Sequence, residues 1–287
     1  MNDDEFDLSA PELTPDDFLV LPDDRFTTDD VALVTGAASG IGRATAVVLA
    51  ANGLTVVGTD MDEDGLAETA AIAEDCDVPG AFTRVVGNLT DDADIERIVE
   101  SAADEGDLRY LANIAGLQHI APIPEFPPEK YDLVHDVMLR APFMLAKYTM
   151  PHIRATDDGV GAIGNMSSIH GQYATKDKAA YITMKHGLTG LTRSIAAEGE
   201  GTLRGFSVSA GYVLTPLMVN QIEDTARERG ISEREVVEDV MLGQARTKTM
   251  MTPAEVANLF AFGFSEFGRH LNGADLLWDG GYVHTYE

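Results

Sequence analysis

The sequence is poor in cysteine and tryptophan and contains no long apolar run. Its only cysteine is Cys76, so no disulfide can form within the chain, and a reducing, cytoplasmic setting is expected. No stretch of about 18 apolar residues occurs, which argues against a transmembrane helix. The first residues show no basic segment followed by an apolar one, so no secretory signal is expected.

Positive charge is also scarce. Lys and Arg together number 20, six of them lysines, against 48 acidic residues, for a net charge of -28. A field of this sign repels phosphates, so neither nucleic acid nor an anionic membrane is an expected partner. The chain is either an acidic protein of ordinary cytosol or a halophilic protein whose self-repulsion is screened by molar salt. Acids spread along the whole chain, together with few lysines, favour the halophilic interpretation.

Residues 1–29 differ in composition from the rest. They are rich in acids and contain three prolines, at 11, 15 and 22, which predicts an extension outside the core that is either disordered or loosely docked. Phe18, Leu19, Val20 and Leu21 are candidate anchors to the domain surface or to a neighbouring subunit.

From residue 30 onward, apolar strands alternate with amphipathic helices. This pattern predicts an α/β fold with a doubly wound parallel sheet (a Rossmann fold) in a single domain spanning 30–287. A charged, helical stretch, about 214–250, interrupts the alternation and suggests a lid over the substrate mouth. The predicted strands are 31–36, 54–60, 81–89, 109–116, 159–168, 203–211 and 273–281, and the predicted helices are 40–53, 62–75, 91–104, 128–150, 175–198 and 253–264.

A glycine-rich turn, TGAASGIG, connects the first predicted strand to the first predicted helix at residues 35–42. Glycines let the backbone approach a pyrophosphate, and the start of the helix offers free N–H groups. The strand–turn–helix context makes this more specific than a lone glycine pattern, for which an ordinary tight turn is the alternative. The expected pyrophosphate contacts are Gly36, Ser39, Gly40, Ile41 and Gly42.

Asp60 ends the second predicted strand, 18 residues after Gly42. A carboxylate there can accept hydrogen bonds from the adenosine ribose and repel a 2′-phosphate. Because no basic residue stands in 37–39 or directly after Asp60, NAD is predicted rather than NADP, although Asp60 could instead be a solvated loop acid. Asn88 is expected at the adenine edge. The other cofactor-binding candidates follow later strands: Leu89, Asn113, Ala115, Gly116, Gly211 and Val213.

Tyr181 and Lys185 share one helix face at i and i+4, and Ser168 lies 13 residues upstream of Tyr181, at a strand end. Hydride transfer from an alcohol needs a base, and a free tyrosine, with a pKa of ~10, is too weak an acid at neutral pH. A nearby ammonium and a positive nicotinamide ring favour the phenolate, and Ser168 can hold the substrate oxygen. The alternative to a catalytic role is that Tyr181 is an aromatic residue on the helix surface and Ser168 a turn residue at the strand end.

On these motifs, with NIAG at 113–116, the chain resembles the short-chain dehydrogenase/reductase family over about 30–287. The resemblance implies that Tyr181 is the general acid/base, that Lys185 also binds the nicotinamide ribose, and that Thr215 contacts the nicotinamide carboxamide. It further implies a homotetramer whose interface is formed by two long helices.

Four segments look like the D-3-hydroxybutyrate dehydrogenase branch of that family: LQHIAPIPEFPPEKYD, SSIHGQYATKDKAAYITMKHGLTGLT, GYVLTPLMVNQI and DGGY. This resemblance implies oxidation of a small 3-hydroxy acid to its 3-oxo acid. Donors close to the tyrosine suit a short carboxylate, although each could be an ordinary polar residue. The implied substrate-binding residues are Gln118, His170, Lys178 and Gln221, with Tyr212 and Tyr282 as aromatic walls.

One departure weakens the expectation of fast turnover. Met138 stands where the family has a relay asparagine, and a thioether cannot hold the water that passes protons to solvent. Slow turnover, a relay through Asp136 or His135, or an NAD-binding regulator without catalysis are therefore alternatives. So is a short-chain reductase of another alcohol, a sugar or an acyl thioester. No cluster has metal-ligand spacing, so no metal is expected.

Overall fold

Seven parallel strands form one sheet in the computed structural model, which describes residue 8 and residues 11–285 except for the side chain of Glu228. The strands are β1 (Asp30–Thr35), β2 (Thr55–Asp60), β3 (Ala81–Val86), β4 (Asp107–Asn113), β5 (Gly161–Met166), β6 (Leu203–Ala210) and β7 (Ala274–Trp278). Their order is β3-β2-β1-β4-β5-β6-β7. The order reverses between β1 and β4, where doubly wound sheets bind ligands at the carboxyl ends of the strands. The predicted fold class is confirmed.

Helices cover both faces of this sheet. They are α1 (Gly40–Ala51), α2 (Glu63–Asp75), α3 (Asp92–Ala103), α4 (Pro128–His135), α5 (Ala141–Ala155), α6 (Ala179–Glu198), α7 (Pro216–Arg229), α8 (Glu233–Glu235) and α9 (Pro253–Phe264). A π-helical turn, Asp136–Arg140, joins α4 to α5, and another, Val236–Met241, follows α8. No helix in the described part of the chain is long and apolar enough to cross a membrane.

The side chains of β1 explain why its sequence is apolar throughout. Ala32 and Val34 pack in a core with residues of α1 and α9, whereas Val31 and Leu33 pack in a second core with residues of α3 and α5. Successive side chains of a strand point to opposite faces, so a strand covered on both faces needs apolar residues at every position.

Two predicted helices differ in detail from the observed ones. The long helix predicted at 128–150 is interrupted by the π-helical turn and continues to Ala155. The helix predicted at 175–198 begins only at Ala179, because Asp177 has a φ of +67° and Lys178 a ψ of 27°. A left-handed residue cannot lie inside an α-helix of L-residues.

The segment 214–250 is mostly helical and has a small apolar cluster of its own. Ile222, Val236 and Met241 are buried in it, and Tyr212 and Tyr282 pack against it. This packing places the segment beside two of the predicted substrate-binding residues. Its action as a lid stays a prediction.

The acidic extension lies against the domain where it is described. The N–H of Leu21 donates to Asn52 Oδ1 at 2.8 Å, and Asn52 Nδ2 donates to the carbonyl of Leu19 at 2.9 Å. Phe18 and Leu21 pack on the core, and Phe26 is buried, while Val20 is exposed. These contacts support the docked alternative for residues 11–29, and flexibility of the extension stays a prediction. Residues 1–7, 9 and 10 lie outside the described residues.

Candidate active site

A cavity of about 640 Å³ opens at the carboxyl ends of the central strands. It extends from the glycine turn to Tyr181 and Lys185, and its volume lies in the range of small-molecule sites. The phosphate-turn residues and the catalytic pair therefore share one continuous site. The predicted cofactor-binding residues that line it are Gly36, Ser39, Gly40, Ile41, Asp60, Asn88, Leu89, Ala115, Gly116, Tyr181, Lys185 and Thr215.

The glycine turn fits a pyrophosphate. Gly36 and Gly40 have φ values of +71° and +52°, which favour glycine. A Cβ on Gly42 would lie 2.0 Å from the carbonyl oxygen of Gly36, so glycine is needed there to pack α1 against the turn. Ser39 precedes α1 without a side-chain cap. The first N–H groups of α1 are thus available to an anion in the cavity.

Asp60 connects the end of β2 to the glycine turn. Its Oδ1 accepts the N–H of Met61 at 2.7 Å, and its Oδ2 accepts the N–H of Ala38 at 3.3 Å. Arg43, which the sequence reasoning did not consider, binds the carbonyl of Ala38 and pairs with Glu68 at 2.7 Å. The cavity wall at this end therefore carries a carboxylate, and the nearby guanidinium is already paired.

Asn88 faces the same end of the cavity from the loop after β3. Its Oδ1 accepts hydrogen bonds from the N–H and the hydroxyl of Thr90, at 3.0 and 2.9 Å. These bonds fix the amide so that its NH₂ group can donate to an adenine ring nitrogen.

Four predicted cofactor residues do not line the cavity: Gly42, Asn113, Gly211 and Val213. Asn113 is buried and donates to Asn165 Oδ1 at 2.8 Å, and Asn165 in turn donates to Thr192 at 2.9 Å. This bridge ties β4 to β5 and α6. A residue at a strand end can point into the sheet or into the cleft, and spacing alone did not distinguish the two.

The structure brings Ser168, Tyr181 and Lys185 together. Ser168 follows β5, accepts the N–H of His170 at 3.2 Å and hydrogen-bonds to Tyr181. The Lys185 ammonium lies 5.3 Å from the Tyr181 ring centre and donates to the carbonyl of Met166 at 2.6 Å. The spacing along α6 and the end of β5 thus converge on one phenol.

The protein alone disfavours charge on both members of the helix pair. Burial raises the pKa of Tyr181, and its hydrogen bond to Ser168 lowers that pKa in part. Burial lowers the pKa of Lys185 to about 7. A further positive charge beside the phenol, such as that of an oxidised nicotinamide ring, would favour the phenolate.

His170 is buried against the catalytic residues. Its Nδ1 lies 3.4 Å from Ser168 Oγ, and its Nε2 lies 3.2 Å from Thr175 Oγ1. Its ring centre is 5.8 Å from that of Tyr181. Burial, and secondarily the charge of Lys178, lowers the pKa of His170 to about 4. It is therefore a neutral imidazole at neutral pH, with both ring nitrogens near protein oxygens.

Lys178 and Gln118 lie in loops that are joined to each other. Ala121 N–H donates to the carbonyl of Asp177 at 2.9 Å. Burial lowers the pKa of Lys178 to about 8, and no described acid forms an ion pair with it. The amide nitrogen of Gln118 is buried without a hydrogen-bond partner among the described residues. Gln221 is on α7, where its backbone carbonyl accepts the Thr225 hydroxyl.

An aromatic row continues from His170. Tyr173 stacks on His170 with ring centres 5.1 Å apart, Tyr282 follows at 5.6 Å, and Tyr212 lies 5.8 Å beyond. Tyr212 and Tyr282 also line a second cavity of about 370 Å³. Sequence reasoning missed Tyr173, although it stands only five residues after Ser168.

Met138 closes one side of the catalytic residues. It is 1% exposed and clusters with Val134, Ala180 and Met184, against which Tyr181 packs. His135 and Asp136, the relay candidates from the sequence, bind each other at 3.1 Å, and neither lines the 640 Å³ cavity.

Among the described residues, no three metal-ligating side chains come together.

The fold and the site define an oxidoreductase with a dinucleotide-binding cleft, and comparison with known proteins gives its family. A family model described as "Enoyl-(Acyl carrier protein) reductase" matches residues 36–283. A D-beta-hydroxybutyrate dehydrogenase of Cupriavidus necator is 34% identical over 257 residues, covering 88% of this chain and 97% of that protein. The chain belongs to the short-chain dehydrogenase/reductase family.

Solved structures agree with this assignment. The crystal structure of levodione reductase superimposes with a TM-score of 0.84 at 28% identity, covering 91% of this chain and all of that one. A variant of actinorhodin polyketide ketoreductase, solved with NADPH, gives a TM-score of 0.83 at 25% identity, covering 90% of this chain and 98% of that one. Members of this family bind nicotinamide cofactors.

Proposed function

We propose that this protein is an NAD-dependent dehydrogenase that interconverts a small 3-hydroxy acid, such as 3-hydroxybutyrate, and its 3-oxo acid. The observation that carries the proposal is Lys178, a half-buried residue directly before the helix that carries Tyr181, whose ammonium has no acidic partner among the described residues. A substrate carboxylate would supply the missing counter-charge.

The unpartnered amide nitrogen of Gln118 supports the same proposal. A buried donor without an acceptor costs about 1–3 kcal/mol, which a bound carboxylate oxygen would recover. His170, Gln221 and the aromatic walls Tyr212 and Tyr282 stay proposed substrate contacts by resemblance. Of these, His170 already has protein partners for both ring nitrogens, so Lys178 and Gln118 carry more of the argument.

The reaction needs one proton transfer and one hydride transfer. Ser168 Oγ donates a hydrogen bond to the substrate hydroxyl oxygen, and the Tyr181 phenolate takes the hydroxyl proton as the carbonyl forms. The nicotinamide ring, when bound, supplies the acceptor for the hydride that leaves the carbinol carbon. Lys185 favours the phenolate by its charge, and in the reverse direction Tyr181 returns the proton.

The preference for NAD rests on Asp60. Its carboxylate lines the cavity, where it would accept the ribose hydroxyls and repel a 2′-phosphate. Arg43 lies near this wall, but its guanidinium is paired with Glu68 and with backbone carbonyls, so its charge is less available to a phosphate.

Two other functions have specific support. The likeness to levodione reductase, together with the engaged nitrogens of His170, favours a reductase of another alcohol, a sugar or an acyl thioester. Met138, buried beside Tyr181, favours an NAD-binding regulator with little turnover. Both alternatives keep the cofactor site and change only what the tyrosine does.

The experiment is a substrate screen in molar KCl, following NADH absorbance with D- and L-3-hydroxybutyrate and with neutral alcohols, and repeated with NADP. Activity on a short 3-hydroxy acid with NAD is expected. Activity on neutral alcohols only would reject the acid substrate. Cofactor binding by calorimetry without any turnover would support the regulator.

A homotetramer formed through α5 and α6 stays part of the proposal. Phe143 on α5 is 56% exposed, and it lines a shallow surface pocket with Leu139 and Leu191. Light scattering on the purified chain would measure the mass, and a value of one subunit would reject this arrangement.

A further inference from the structure

A line of polar groups leads from the catalytic phenol to the surface. Tyr181 hydrogen-bonds to Ser168, Ser168 Oγ lies 3.4 Å from His170 Nδ1, and His170 Nε2 lies 3.2 Å from Thr175 Oγ1. Ser168 and His170 are 6% and 4% exposed, whereas Thr175 is exposed to solvent. The line therefore begins in the protein interior and ends in water.

Apart from the cofactor cavity, which Tyr181 and Lys185 also line, the phenol packs against apolar side chains. Met138, Val134, Ala180 and Met184 form an apolar wall there, and the Lys185 ammonium donates to the backbone carbonyl of Met166. A peptide carbonyl at neutral pH does not take up a proton and pass it on. The side-chain hydrogen-bond partner of Tyr181 is thus Ser168, and a cofactor bound in the cavity would leave the Ser168 side as the polar path that the described side chains supply.

We propose that His170 exchanges the proton of Tyr181 with solvent, through Ser168 on one side and Thr175 on the other. The proposal rests on the proposed function only in that Tyr181 takes a proton from an alcohol. After that transfer, the phenol O–H proton moves to Ser168 Oγ as the Ser168 hydroxyl proton moves to His170 Nδ1. The proton on His170 Nε2 then leaves through the Thr175 hydroxyl to water, so that one proton is released and the phenolate is restored. The imidazole is left with its proton on Nδ1, and it returns to the Nε2-protonated tautomer by proton exchange with water once the product has left.

Histidine suits this role because a neutral imidazole has one donor and one acceptor nitrogen. The groups around the ring are the Lys178 charge and the rings of Tyr173 and Tyr181, and none of them is a carboxylate that would hold the imidazole protonated. His170 acts through Ser168 and is therefore a positioning and relay residue. For His170 this role replaces the contact to a substrate carboxylate that the resemblance implies, because that contact would need the same nitrogens.

The test compares His170→Gln with His186→Gln, an exposed histidine on α6 whose Nδ1 contacts the carbonyl of Ile182. Glutamine can hydrogen-bond but does not take up a proton at neutral pH. For His170→Gln we expect kcat to fall about tenfold, with an unchanged KM and a larger solvent deuterium isotope effect on kcat. His186→Gln should match the wild type. In His170→Ala, added imidazole should restore part of kcat.

Several outcomes would overturn the relay. A raised KM with unchanged kcat would make His170 a substrate contact, and a lower kcat without imidazole rescue or isotope effect would make its role structural. The assays use whichever alcohol the wild type oxidises fastest, so a failure of 3-hydroxybutyrate as substrate rejects the proposed function and leaves the relay under test. A wild type that oxidises no alcohol rejects both.

Discussion

The ammonium nitrogen of Lys185 lies 5.3 Å from the ring centre of Tyr181, one turn further along α6. Its hydrogen-bond acceptor is the carbonyl of Met166, a dipole that does not neutralise a positive charge. Lys185 is 3% exposed, and burial of an ammonium without a counter-ion is costly. The residue that favours the phenolate therefore lowers the stability of the fold.

This cost predicts a specific pH dependence for Lys185→Met. The pKa of Lys185 is about 7 in the folded protein, against an ordinary value of 10.5, so the unfolded chain binds more protons between these pH values. The contribution of Lys185 to the free energy of unfolding of the wild type should thus rise with pH from about 7 to about 10.5. The advantage of Lys185→Met over the wild type should shrink over that window, by up to about 5 kcal/mol.

Urea unfolding at several pH values would measure this difference. Lys147→Met, on the exposed side of α5, is the matched control and should show no such trend. Lys185→Met should also lose its dehydrogenase activity. A stability difference that stays constant with pH would mean that Lys185 remains charged in the folded protein.

Lys178→Ala should weaken binding of hydroxy acids specifically. Loss of a charge-assisted hydrogen bond predicts a KM for a 3-hydroxy acid that is roughly 10–100-fold higher, with neutral alcohols unaffected. Because the ammonium is the form that binds an anion and its pKa is about 8, wild-type affinity for the acid should decline as the pH rises through that value. Steady-state kinetics with both substrate types would measure the effect.

Lys176→Ala is the control for this variant, since Lys176 is exposed two residues earlier and its loss removes the same charge from the surface. Equal losses on acids and neutral alcohols in Lys178→Ala would contradict a carboxylate pocket.

Asp60→Asn should relax the choice between cofactors. It removes the charge that faces a 2′-phosphate, so NADP should bind about tenfold more tightly or better, while NAD loses a ribose contact. Fluorescence titration with both cofactors would give the two dissociation constants. Asp62→Asn is the matched control, since it removes a charge two residues away while asparagine can still cap α2. If both variants change NADP affinity equally, the net charge and not the Asp60 contact sets the preference.

The sequence was sufficient for the sheet because each central strand is apolar on both faces, as Val31 to Val34 show. The glycine turn and the Tyr181–Lys185 spacing were readable because they depend on local geometry. The π-helical turn at Asp136–Arg140 and the start of α6 at Ala179 were not readable. A single left-handed residue such as Asp177 leaves no periodic pattern in the sequence from which its conformation could be predicted.

Side-chain direction limited the prediction of the site. Asn113 was expected in the cleft, but it bridges β4 and β5. Tyr173 was not expected, since one aromatic residue in a loop carries no spacing signal. The partners of His170 likewise became known only when Thr175 was placed beside it. These contacts are tertiary, and one sequence does not specify them.

Salt should stabilise the fold if the halophilic interpretation of its net charge is right. A net charge of -28 destabilises the compact state by self-repulsion, and the screening length falls from about 10 Å at 0.1 M to about 3 Å at 1 M salt. The melting temperature should therefore rise steeply as KCl is raised toward molar concentration, and equally in NaCl. A melting temperature that is independent of salt would favour an acidic protein of ordinary cytosol.

The contacts of the docked extension predict how replacing the buried amide side chain of Asn52 changes stability and proteolysis. Asn52 binds Leu21 and Leu19 as well as the carbonyl of Val48, so Asn52→Ala should lower the free energy of unfolding by about 1–3 kcal/mol. It should also speed proteolytic cleavage between residues 17 and 26. Asn272→Ala is the control, because Asn272 accepts the N–H of Gly205 in β6 and does not touch the extension. Asn272→Ala should lower stability without faster cleavage. Unchanged cleavage in Asn52→Ala would mean that the apolar contacts of Phe18 and Phe26 hold the segment by themselves.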